Sequence, residues 1–154
     1  QVFDCSILDI SGYVLDHDMD PDRADGLETA SGSTRLYHAP CHDSLEDTAV
    51  SRLGELGITL TPTPHCCSEA GTLALSRPDI SHSMFLRKQT SLKIQGPDSK
   101  TKILTNCPSC IQGLGRQSKL APVHLAEALA RLTGGEGWIQ EFKEQVKSCE
   151  VITF

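Results

Sequence analysis

Residues 102–110 read KILTNCPSC: a short aliphatic, β-branched run, then two cysteines flanking a proline. The run has the composition of a strand. Pro108 suits the first turn of a helix, where its missing N–H is no loss. The stretch therefore predicts a strand ending at Cys107 and a helix or helical turn opening there, with Cys110 one turn on. Two earlier stretches follow the same order. Residues 34–42, TRLYHAPCH, predict a short strand running into a tight connection that carries Cys41 and His42. Residues 58–67, ITLTPTPHCC, predict a strand followed by the adjacent pair Cys66 and Cys67, with Pro62 and Pro64 ending it early or placing it at an edge. Between these two, Ser44 and Asp47 resemble a capping box with Asp in place of Glu. Leu45, Ala49, Leu53 and Leu56 then recur at helical spacing, and Gly57 stands where a C-terminal glycine belongs. A further helix is expected over residues 78–93, with Pro78 in its first turn and Ile80, Met84, Lys88 and Leu92 on one face. Strands alternate with helices across residues 34–120, so the expected class is α/β: a short, mostly parallel sheet flanked by helices.

Residues 2–3 and 7–15 are apolar bursts that read as strands, with Gly12 a bulge or weak point. Residues 16–33 are acidic and aperiodic, hence a surface loop, and their aspartates do not match a calcium-binding loop. Residues 122–133 read as an amphipathic helix stopped by Gly134 and Gly135. Trp138, Ile139, Phe142 and Val146 mark a last amphipathic helix with a core-facing stripe. Arg87, Lys88 and Lys93 read as a solvated positive face. The expected organisation is 1–33 as N-terminal strands and acidic loop, 34–120 as the cysteine-rich unit, and 121–154 as helices packing on it.

The 154 residues carry a formal charge of −6, with 38% hydrophobic and 22% charged residues. That balance excludes a disordered chain, and no apolar run approaches the roughly 20 residues of a membrane span. An acidic chain with 5% aromatics lacks the basic footprint and stacking platform of a nucleic-acid binder. The chain opens on Gln1 with no signal pattern behind it, which reads as a piece of something longer.

Seven cysteines, an odd number in a chain large enough to build a core, argue against a secreted disulfide scaffold and for metal or redox chemistry in a reducing, cytoplasmic setting. Neighbouring strands of a parallel sheet end on one edge, where α/β sheets bind their ligands. Cys41, Cys66, Cys67, Cys107 and Cys110 can therefore meet, although they come from three separate segments. A thiolate is the metal ligand, and a helix N-terminus favours it. Adjacent side chains diverge, so Cys66 and Cys67 suit a multi-metal cluster better than one small ion. Zinc on four of the five remains an alternative, as does thiol–disulfide exchange by Cys107 and Cys110. Cys5 and Cys149 lie outside the pattern. His38, His42 and His65 flank the cysteines and are expected to hydrogen-bond sulfur or backbone.

Tyr37-His-Ala-Pro-Cys41-His42, Cys66-Cys67-Ser68-Glu-Ala-Gly71 and Asn106-Cys107-Pro-Ser-Cys110 together resemble the cysteine-rich CCG domain. That domain occurs in the cysteine-rich subunit of heterodisulfide reductase, in the glycolate oxidase iron–sulfur subunit and in related FAD-linked oxidoreductases. The resemblance covers about residues 34–117, with Ser68 where the family usually has glycine. It implies an iron–sulfur cluster, of 4Fe-4S type, on Cys41, Cys66, Cys67, Cys107 and Cys110. It also implies electron transfer from a flavin-containing domain or subunit, with FAD held outside this chain. The acceptor would be a protein or a small disulfide or quinone, and any membrane association would come through a partner. The chain has no nucleotide fingerprint, P-loop or Ser/His/Asp motif of its own.

Overall fold

The computed structural model describes residues 8–17, 35–69, 73–95, 101–117, 120–135 and 137–147. Four parallel strands form one sheet: β1 (Arg35–Tyr37), β2 (Thr61–Pro62), β3 (Lys102–Thr105) and β4 (Pro122–His124), in the order β2-β1-β3-β4. Leu36 stands opposite Thr61 on one side and Ile103 on the other, and Leu104 pairs with Val123. The seven helices of the described residues are α1 (Ile10–His17), α2 (Ala49–Glu55), α3 (Leu73–Ser76), α4 (Pro78–Ile94), α5 (Pro108–Gln117), α6 (Leu125–Gly134) and α7 (Trp138–Lys147).

Strand alternation splits the core in two. Tyr37 and Leu104 point to one face, where Ala49 and Leu53 of α2 and Leu125 and Leu129 of α6 cover them. Leu36 and Ile103 point to the other, against Leu92 of α4 and Leu114 of α5, and there the core includes Cys67 and Cys110. The expected α/β class holds.

Several local expectations are corrected. Residues 10–17 form a helix and not a strand, because Asp9 caps it: its Oδ1 accepts from the amides of Ser11 at 2.8 Å and Gly12 at 3.3 Å. Ser44 and Asp47 do not cap α2. They sit in a turn where Glu46 and Asp47 take positive φ, and the helix starts later, at Ala49. Gly57 does end α2 as expected, with φ +79°. Its amide donates to Gly54 O at 3.0 Å, and Ile58 N donates to Leu53 O at 2.9 Å, the paired bonds of a Schellman turn. Residues 122–124 are strand, not helix, because three residues suffice to pair with β3 and carry too little periodicity to announce themselves. The stripe on α7 is not core: Phe142 and Val146 are exposed. The strand expected at 2–3 and the acidic loop from residue 18 onward lie outside the described residues.

Candidate metal centre

The connection from β2 to β3 crosses over β1, so the strand order changes direction between β1 and β3, and a crevice opens at their carboxyl ends. The turns leaving β1, β2 and β3 carry the cysteines into it.

Each turn is held by its own hydrogen bonds. After β1, Asp43 accepts from Leu45 N and Asp47 N, both at 3.0 Å, which shapes the loop behind Cys41. Asn106, at the end of β3, donates to Asp43 Oδ1 at 3.1 Å and Ser44 Oγ at 3.0 Å, and Tyr37 donates to Asn106 Oδ1 at 3.4 Å. These bonds bolt the Cys41 turn to the Cys107 turn. After β2, Thr63 N donates to Tyr37 O at 2.7 Å. His65 and Ser68 then take left-handed φ of +69° and +63°, folding the Cys66–Cys67 pair back on itself. Glycine adopts this conformation without strain, whereas Ser68 holds it with a side chain. The Ser68 amide points at Cys66 Sγ, 3.4 Å away. After β3, Pro108 starts α5 and Cys110 sits in its first turn. One turn further, Gly113 presses on the double-cysteine loop: a Cβ there would lie 2.9 Å from Cys67 O and 3.0 Å from Glu69 Cβ.

Four of the five sulfurs form two close pairs, each joining two different turns. Cys41 and Cys66 Sγ are 3.3 Å apart, and Cys67 and Cys110 Sγ are 3.1 Å apart. Cys66 bears on Cys67, and Cys107 on Cys110. All five are thiols without a disulfide. Cys67 and Cys110 are buried, Cys66 and Cys107 half-buried and Cys41 exposed, so the group runs from core to surface. The Cys67–Cys110 pair shares its proton unequally. Hydrogen bonding with Cys110 pulls the Cys67 thiol down to about 5, with His38 helping and burial opposing. The same bond, with burial, pushes Cys110 up. Burial above all raises Cys66 to about 11, against the pull of the Ser68 amide.

Behind the sulfurs lies a fully buried cation. Lys88, from α4, is 0% exposed and not part of a solvated face. Its Nζ donates to Thr63 Oγ1 at 2.6 Å and Pro64 O at 2.9 Å, and lies 3.0 Å from His38 Nδ1. His38 is buried as well, and a ring nitrogen, Cys67 Sγ and Cys110 Sγ lie within 4.8 Å of one another. This cysteine–histidine group is compatible with metal binding. His42 and His65 are exposed and make no bond to the cysteines among the described residues. Cys5 and Cys149 lie outside the described residues.

The chain is similar to the glycolate oxidase iron–sulfur subunit of Escherichia coli (strain K12). The two are 30% identical over 89 residues, which is 53% of this chain and 22% of the glycolate oxidase subunit, so the chain spans about a fifth of that protein's length. No family model and no solved structure matches the chain. No helix among the described residues is long and apolar enough to cross a membrane.

Sequence reading finds the five thiols but not Lys88, Asn106 or Gly113 as parts of the site. Lys88 repeats with Met84 and Leu92 on the inward face of α4, and that apolar spacing is its one signal. Asn106 is visible only as a letter of the motif around Cys107. Gly113 carries no signal at all.

Proposed function

We propose that this chain is the iron–sulfur electron-transfer domain of an oxidoreductase, of the cysteine-rich CCG type, with a 4Fe-4S cluster held by Cys41, Cys66, Cys67, Cys107 and Cys110. The observation that carries the reading is the meeting of thiols from three strand ends in two close sulfur pairs, Cys41–Cys66 and Cys67–Cys110, with Cys107 at the start of α5 beside them. When bound, such a cluster supplies one-electron redox chemistry. The surroundings fit an anionic group. Several thiolates together are strongly negative, and a buried ammonium and an inward amide, Lys88 and Ser68 N–H, stand beside them. Thiol exchange by Cys107 and Cys110 would leave Cys41, Cys66 and Cys67 without a role.

The cysteine loops orient the ligands, α4 and α5 keep water from the inner sulfurs, and exposed Cys41 gives electrons a short way to the surface. The donor is a flavin-containing domain or subunit outside this chain, in keeping with a relative named as a subunit of glycolate oxidase. The acceptor is a protein or a small disulfide or quinone. The setting is cytoplasmic, with any membrane association through a partner. The second reading is one structural zinc ion, favoured by the compact His38, Cys67 and Cys110 set. Anaerobic purification followed by iron, sulfide and zinc analysis separates the two. Iron and sulfide with broad visible absorption that bleaches on reduction supports the cluster. A colourless protein with one tightly held zinc overturns it.

A further inference from the structure

We propose that Lys88 is a built-in counter-ion of the sulfur site and that it fixes the His38 ring with its proton on Nε2, so that this nitrogen offers no lone pair to a metal. This rests on the metal-centre reading above and assigns a role to two groups within it.

An ammonium carries three N–H groups and no lone pair. Lys88 Nζ meets acceptors in Thr63 Oγ1, Pro64 O and His38 Nδ1, all within 3.0 Å, and Thr63 O at 3.4 Å. A ring nitrogen that accepts holds no proton, so the neutral His38 ring keeps its proton on Nε2. That nitrogen is buried and has no hydrogen-bond partner, while the His38 ring stands beside the Cys67 and Cys110 sulfurs. A protonated Nε2 has no lone pair for a metal; it has a proton to offer a thiolate.

The ion pairs of the described residues involve Arg52, Arg77, Arg116 and Arg131, and none involves Lys88. A buried charge is costly unless an opposite charge answers it. The groups placed to answer it are the cysteine sulfurs beyond His38, of which Cys67 and Cys110 Sγ lie within 4.8 Å of a ring nitrogen. A fixed cation behind the sulfurs favours the more negative state of whatever the thiolates hold, and therefore raises its reduction potential.

Two measurements on the full chain test this. The first is the His38 tautomer in metal-free wild-type protein, from long-range proton–nitrogen NMR correlations. A proton on Nε2 is expected, and a proton on Nδ1 overturns the proposal whether or not iron binds. The second compares wild type with Lys88→Met after anaerobic loading with ferrous iron and sulfide. The two are compared at matched iron content, and the potential of the variant is expected to be lower by a tenfold change in the oxidised-to-reduced ratio, about 59 mV for one electron. An unchanged potential at full iron content removes Lys88 from the role. Failure of wild type to take up iron overturns the iron–sulfur reading alone, because the tautomer still decides the inference. If Lys88→Met does not fold, the wild-type tautomer likewise decides.

Discussion

Gly113 has no side chain because Cys67 occupies the space. A methyl group there would meet the Cys67 carbonyl at 2.9 Å, and a backbone atom has no rotamer with which to yield. Gly113→Ala should cost about 1–3 kcal/mol in denaturant unfolding and lower the iron retained per chain, because the loop that moves carries two of the five thiols. Full stability with full iron content would show that the contact is slack. Lys88 makes a prediction of opposite character. Burial holds its ammonium at about 8 in the folded protein, below the ordinary 10.5. Between those values the unfolded chain binds more protons, so this group adds stability to metal-free protein as pH rises through the window. Below it both states are protonated and the penalty is fully present. The stability difference between metal-free wild type and Lys88→Met should therefore move in favour of wild type on raising the pH, by about 3 kcal/mol at most. Urea unfolding of both proteins across the window checks this, and a pH-independent difference contradicts it.

Elements differ in how plainly their residues announce them. α4 is legible because Pro78 opens it and its inward positions repeat at helical spacing. α2 is legible at its end and not at its start. Gly57 supplies the left-handed turn that a Schellman motif needs, and an added Cβ there would touch nothing within 4 Å. Gly57→Ala should therefore cost about 1 kcal/mol from backbone conformation alone, visible in thermal unfolding with iron binding unchanged. The start is hidden because Asp43 outcompetes Ser44 for the turn amides, and Asp43 is claimed in turn by Asn106, 63 residues away. No local pattern reports a bond of that separation. The same holds for Lys88, whose Thr63 and His38 partners are 25 and 50 residues distant. α1 is ambiguous because its apolar residues fit a strand equally well and only Asp9 decides against it. Asp43→Ala should loosen the Cys41 turn, costing about 1–3 kcal/mol for a hydrogen-bonded carboxylate. Cys41 should then react faster with iodoacetamide than in wild type, read by mass spectrometry. An unaltered rate would mean that the turn holds itself.

Across the whole molecule, the convergence of the cysteines is the most legible feature, because strand-then-cysteine in a parallel sheet leaves few places for the sulfurs to go. The topology also makes the site a fastener. β2, β1 and β3 are adjacent in space, yet the turns that leave them are separated by crossovers over opposite faces of the sheet. A group held by all three turns ties both faces to one point, and whatever binds only the folded state adds its binding energy to folding. Loading with iron and sulfide should therefore raise the unfolding temperature well beyond a local effect. For a chain of this size each kcal/mol is about 2–4 °C, so a rise of about 5 °C or more is expected in anaerobic calorimetry. Cys110→Ser, which removes a buried sulfur joining the β2 and β3 turns, should abolish most of the rise. Equal unfolding temperatures for loaded and metal-free protein would mean that the metal sits at the surface and fastens nothing.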